Sequence, residues 1–174
     1  MLFRRRPHPI EAEIPRLRRF ALALMRDRNL ADDLVQDCLE RALAAWALRR
    51  NGPSLRPWLF AILHNTWRSR MRREGSRPDR MPLEAMGAEP AASGGQWERL
   101  ELRDMDTALG LLPEEQRAVL LLVVLEGLGY EEVARIQDVP VGTVMSRLSR
   151  ARERLRALTE DRQPPSGTHL RRVK

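Results

Sequence analysis

A chain of 174 residues with formal charge +7 suits one ordinary domain or two small ones. Arginine makes up 30 of its 31 basic residues, which favours forked contacts to phosphate and base edges over lysine's point charge. Cys38 is the single cysteine, so an intramolecular disulfide is excluded, and His8, His64 and His169 are too scattered for a metal-ligand pattern. No apolar run approaches membrane-spanning length or a signal-peptide core, so a soluble, cytoplasmic protein is expected.

The first helical pattern, about Glu11 to Arg26, buries Leu17, Phe20, Ala21 and Leu24. The next runs from about Leu30 to Arg49, with Asn29 as its cap and Asp32 at the matching third position. It places Leu34, Val35, Cys38, Leu39, Ala42 and Trp46 on one side and Asp33, Gln36, Asp37 and Glu40 on the other. Cys38 falls on the core side, as a small apolar residue. Asn51-Gly52-Pro53 ends the helix. The third pattern, PWLFAILHNTWRSRMRR, starts at Pro57, a residue suited to a first turn. Leu59, Ile62, Leu63, Thr66 and Trp67 form its buried side, His64, Asn65, Arg68 and Arg72 project opposite, and Trp58 lies at the border. Amides, aromatics and arginines mixed on one exposed face suit unpaired or distorted DNA, through stacking and phosphate contact.

Residues 75–99 are rich in Pro, Gly, Ala, Ser and Met, lack periodicity, and read as a flexible linker. They separate a domain at 10–74 from one at 100–159, and a basic tail at 160–174 reads as disordered. Charge divides unevenly: residues 1–75 carry 16 basic and 8 acidic side chains, whereas residues 99–160 have a net charge of −2. Nothing reads as a strand pair. The expected fold is all-α, two small helical domains on a tether that lets them tumble independently.

The second domain holds the most informative stretch, YEEVARIQDVPVGTVMSRLSRARERLRAL, from Tyr130 to Leu158. Val133, Ala134 and Ile136 give a short helix its apolar side, and Gln137-Asp138-Val139-Pro140 breaks it, Pro140 disfavouring helix at Val139. Gly142 and Thr143 then open a second helix, Thr143 being placed to cap it. Val144, Leu148, Ala151, Leu155 and Leu158 make a continuous stripe on that helix, while Thr143, Ser146, Arg147, Arg150 and Arg154 share a face roughly a right angle away. This is the layout of a helix-turn-helix, with hydroxyls and guanidinium groups presented to DNA. Between Asp104 and Asp138 eight acids stand against two arginines, while Arg147 to Arg156 holds five arginines and one acid, Glu153. Such polarity turns the basic tip toward a polyanion. No nucleophile–base–acid set, Gly-rich phosphate loop or plausibly spaced carboxylate pair is present, so neither an enzyme nor a cofactor is expected.

Taken together, ADDLVQDCLERALAAW, RPWLFAILHNTWRSRMRR and LGLLPEEQRAVLLLVVLEGLGYEEVARIQDVPVGTVMSRLSRARERL resemble the extracytoplasmic-function (ECF) group of sigma factors in the sigma-70 family. The first two strings resemble region 2 and the third region 4. Details also resemble the general-stress subgroup of alphaproteobacteria. The resemblance implies that Asp33, Gln36, Asp37, Glu40 and Arg41 grip the clamp coiled coil of the RNA polymerase largest subunit. It implies that Asn51 to Arg56 capture a flipped base of the −10 element, with Trp58, His64, Asn65, Arg68 and Arg72 toward that strand. It implies that Thr143, Ser146, Arg147 and Arg150 enter the major groove of the −35 element, with Arg154 on phosphate. The linker would pass through the polymerase toward the RNA exit channel, and an anti-sigma protein would hold the chain inactive.

Three positions depart from the family pattern. Met145 stands where a lysine or arginine is common, Ser69 near a frequent aspartate, and His64 at a frequent arginine, so promoter sequence does not transfer from a relative. A sigma-like decoy that sequesters an anti-sigma protein remains an alternative, although it would have no need of the recognition-helix arginines. A simple helix-turn-helix regulator would leave residues 10–74 unexplained.

Overall fold

The computed structural model describes residues 8–49, 54–74 and 105–160. The expected linker at 75–99, residues 51–53 of the expected base-capturing loop and the tail beyond 160 lie outside the described residues, and Leu55 and Arg56 of that expected loop belong to a helix. Among those described, every regular element is helical.

A 3-10 turn, Pro9–Glu13, leads into α1, Ile14–Met25. His8 caps that turn: its Nδ1 accepts from the Ile10 N–H at 3.4 Å, and its own N–H donates to Glu11 Oε1 at 3.0 Å. α1 buries Leu17, Phe20, Ala21 and Leu24, the side its periodicity marks. It stops where Arg26 turns left-handed at φ 58°, and α2 spans Arg28–Ala44. Its cap is Asp27, whose Oδ1 accepts the Leu30 N–H at 2.9 Å. The expected cap, Asn29, lies inside the first turn instead, because the carboxylate two residues earlier already satisfies a free amide. Nor does α2 reach Arg49 as an α-helix; it ends at Ala44 and Trp46–Arg49 tightens into a 3-10 turn. α3 spans Leu55–Glu74 with Pro57 in its first turn.

In the second half, residues 105–110 form α4 and Glu114–Leu120 form α5. α5 widens into a π turn over Leu121–Leu125, where the Glu126 N–H reaches back five residues to the Leu121 carbonyl at 3.1 Å. α6 is Tyr130–Gln137, closed by Asp138 at φ 55°, and α7 is Val141–Glu160. Helix α7 begins ahead of the expected cap, so Thr143 sits in its first turn and donates its N–H to the Pro140 carbonyl at 2.9 Å. The stripe of α7 packs as its spacing requires: Val144, Leu148 and Ala151 are buried and Leu155 is half-buried.

The two halves do not stand apart. One hydrophobic cluster runs from Ile10 through Leu63 and Trp67 to Val144 and Ala151, with α3 packed on both α2 and α6 and α1 on the π turn. This overturns the expectation of independent tumbling. Its physical reason lies partly in the uneven charge. Arg19 donates to Glu126 at 3.0 Å with Arg16 at 3.8 Å from the same carboxylate, and Arg26 pairs with Asp106 at 3.0 Å. The acids that leave the second domain negative thus also face the arginines of the first.

Phe20 and Phe60 are fully buried and meet edge to face, with ring centroids 5.2 Å apart at 86°. Phe20→Ala should cost about 3–5 kcal/mol of unfolding free energy in a urea titration. A loss under about 1 kcal/mol would place that pair outside the working core.

Candidate nucleic-acid interface

On α7 the buried stripe fixes what the remaining faces can show. Ser146, Arg150 and Arg154 are exposed, and Thr143 is half-buried. The Ser146 hydroxyl donates to the Thr143 carbonyl at 3.0 Å, which leaves its oxygen lone pairs toward solvent. Arg147 behaves differently from its neighbours. Its Nη1 lies 2.9 Å from Gln137 Oε1 and 2.9 Å from Glu115 Oε2, and only a quarter of the side chain is accessible. Met145 is exposed at 52%, placing an apolar side chain on the surface where a cation would otherwise stand.

On α3, Asn65 and Arg72 are exposed, and Trp58 and Arg68 are half-buried. His64 is fully buried, contrary to the expected projection into solvent. The reason is that α3 is covered on two sides, by α2 and by α6, so the stretch containing Leu59, Phe60, Leu63, Thr66 and Trp67 has little polar side left. Arg68 reaches across to the second domain and donates to the Gln137 carbonyl at 3.3 Å. Burial is the main force holding the His64 imidazole neutral, with the Arg68 and Arg147 charges adding to it; its pKa falls from 6.5 to about 4.

The acidic side of α2 is open: Asp33, Gln36, Glu40 and Arg41 are exposed and Asp37 is half-exposed. Two of its acceptors are already engaged, since Arg70 of α3 donates to the Asp33 carbonyl at 3.1 Å and to Asp37 Oδ2 at 2.6 Å. Gln36 donates to Glu40 at 3.1 Å along the same face. Opposite, Cys38 is sealed in the core, where burial pushes its thiol up to about 12 and Arg41 pulls weakly the other way.

Two groupings escape sequence reasoning. Gln137, 1% exposed, receives Arg147 on its side chain and Arg68 on its carbonyl; its place beside Asp138 and Pro140 marks it only as the end of a helix. Next to the undescribed loop, the Arg49 guanidinium lies over both Trp46 and Trp58, 5.5 Å and 5.3 Å from their rings, and His8 meets Trp46 at 4.3 Å. Tryptophans twelve residues apart in the sequence carry no sign of sharing one cation.

A helix-turn-helix with exposed arginines, joined to a second helical domain bearing its own basic face, defines a DNA-binding protein of transcription. Comparison with known proteins narrows the class. Residues 10–64 match the family described as the Sigma2 domain of PhyR, and residues 102–155 match Sigma-70, region 4. The ECF RNA polymerase sigma factor EcfG of Rhodopseudomonas palustris (strain TIE-1) is 41% identical over 152 residues, covering 86% of this chain and 82% of its own. The ECF RNA polymerase sigma-E factor of Escherichia coli (strain K12) is 36% identical over 132 residues, covering 70% of this chain and 69% of its own. Among solved structures, the sigma factor RpoE of Bartonella quintana, crystallised with the anti-sigma factor NepR, superposes with a TM-score of 0.75 at 36% identity. That match covers 88% of this chain and 96% of the other. The chain belongs to the ECF sigma factors of the sigma-70 family. Sigma factors bind core RNA polymerase and recognise promoter DNA to start transcription, and that is the function of this chain.

Both burial and the raised pKa make Cys38 a poor nucleophile, since the thiolate is the reacting form. In the native protein at neutral pH, iodoacetamide should label Cys38 only as fast as the chain unfolds, and urea should release it. Prompt stoichiometric labelling, followed by mass spectrometry, would show that α2 and α3 do not seal the thiol.

Proposed function

We propose that α7 reads the −35 element through Thr143, Ser146, Arg147 and Arg150, with Arg154 on phosphate. In the same reading Trp58, Asn65, Arg68 and Arg72 of α3 and the stretch 51–56 that leads into and opens that helix engage the −10 strand, and the acidic side of α2 meets core polymerase. The observation that carries it is the exposure of Arg150 and Arg154 on a helix whose apolar stripe is buried, the arrangement that major-groove entry requires. His64 has no direct part in DNA contact here, because the ring is inaccessible. The complex of the Bartonella quintana sigma factor with NepR supports an anti-sigma partner for this chain as well. The setting is the bacterial cytoplasm, where core polymerase works, in a stress response, and the protein has no catalysis of its own. No helix among the described residues is long and apolar enough to cross a membrane.

Run-off transcription with core polymerase and a library of upstream DNA tests the reading directly. A decoy that only sequestered an anti-sigma protein would yield no transcript. A solitary helix-turn-helix regulator would bind DNA without directing the polymerase.

Arg150→Ala should relax discrimination at one or two −35 base pairs, by about 1–3 kcal/mol in competition binding of the holoenzyme. Arg154→Ala should instead weaken all sequences alike and flatten the salt dependence by about one unit. The reverse pattern would show that the face of α7 in the groove is rotated.

On α2, Gln36→Ala combined with Glu40→Arg leaves the Arg70–Asp37 pair in place. Substitution at these exposed positions should change stability by less than about 0.5 kcal/mol yet reduce capture by core polymerase in a pull-down. Full capture would remove this face from the polymerase contact.

A further inference from the structure

Where α3 meets the second domain, polar groups are buried without partners. His64 has none on Nδ1 or Nε2, and Gln137 lacks one on Nε2. Native interiors avoid such groups, and those that persist mark places that hold strain or change state. The ring lies 5.2 Å from Trp67 and is surrounded by positive charge. Arg68 stands on its own helix, and Arg147 bears on it from α7. On α6 the neutral Gln137 accepts Arg147 on its side-chain oxygen and Arg68 on its backbone carbonyl. Nearby carboxylates are committed elsewhere: Glu115 of α5 to Arg147, and Asp37 of α2 to Arg70. An imidazolium here would be a third cation, buried and without an acceptor.

We infer that the packed arrangement, in which α6 covers one side of α3 and holds Arg68, is a resting state, and that protonation of His64 opens it. Opening frees Arg68 of α3 from the Gln137 carbonyl and turns it toward solvent, while Arg147 keeps its bonds to Gln137 and Glu115, which lie within the second half. The consequence for DNA rests on the promoter reading above, whereas the opening itself does not.

The sign follows from linkage. The closed form holds the His64 pKa at about 4 and separation returns it toward 6.5, so the closed form binds fewer protons. Its advantage is complete above 6.5 and declines as the pH falls from there toward 4. Between about pH 7.5 and about pH 5 the closed-to-open ratio should fall about thirtyfold.

Small-angle scattering on the full 174-residue chain measures this, with circular dichroism at both pH values. The expected result is a larger radius of gyration at about pH 5 with helicity unchanged. His64→Phe, which keeps a ring of similar size but cannot titrate, should stay compact at both; His64→Leu replaces it if the phenylalanine variant does not fold. Glu126 and Asp106, the interface carboxylates, are the same in the wild type and both His64 variants. An unchanged wild-type radius, a loss of helicity on acidification, or equal expansion of the variant would each overturn the inference. Failure of the promoter reading appears separately, as absence of a run-off transcript at neutral pH.

Discussion

Helix α3 packed on two sides is the constraint from which the rest of the arrangement follows. α2 takes one side and α6 the other, so Leu59, Phe60, Leu63, His64, Thr66 and Trp67 are all buried. Thr66 tolerates this because its hydroxyl donates to the Ile62 carbonyl at 2.8 Å, the local bond open to a threonine within a helix. Seating α6 on α3 also sets the direction of α7, since the turn from Asp138 to Pro140 is short and closed by a left-handed residue. The orientation of Arg147 toward Gln137 and Glu115 then follows from the packing of α7 on α5 and α6.

Charge completes what apolar packing begins. The Glu126 side chain is wholly buried, while its partners Arg16 and Arg19 remain about half in water. A sealed carboxylate depends on its cations far more than an exposed pair does. The Arg18–Asp32 contact, 3.7 Å with both side chains more than half exposed, belongs to the class of ion pairs that contributes little. The π turn over Leu121–Leu125 is what brings Glu126 to the face of α1, and Gly127 at φ 67° redirects the chain immediately after it.

Where the buried residues fall on one apolar stripe, burial was legible in the sequence. Leu17, Phe20, Ala21 and Leu24 on α1, and Val144, Leu148 and Ala151 on α7, are buried as their spacing indicates. On α3, buried on two sides, the same rule fails, because periodicity marks one apolar side and cannot show that His64 and Phe60 lie under another. The run from Val119 to Leu125 is apolar throughout and so gives no sign of its widened turn. At α2, Asp27 and Asn29 are both good caps, and the choice depends on how α1 ends at Arg26. The exposed arginines of α7, Arg150 and Arg154, were legible because a basic face next to an apolar stripe is a local pattern. The partners of Arg68 and Arg147 were not, because they lie on other helices, from ten to 69 residues away in sequence.

The near-exclusive use of arginine has a consequence for control in the cell. The chain contains one lysine, Lys174, at its final position, so acetylation has almost no purchase on its positive charge. Guanidinium groups also keep their protons at any physiological pH. The basic surfaces of α3 and α7 thus cannot be dimmed by lysine chemistry or by ordinary titration. Their access to nucleic acid must be governed by covering them, whether with an acidic partner or with the other half of the same chain.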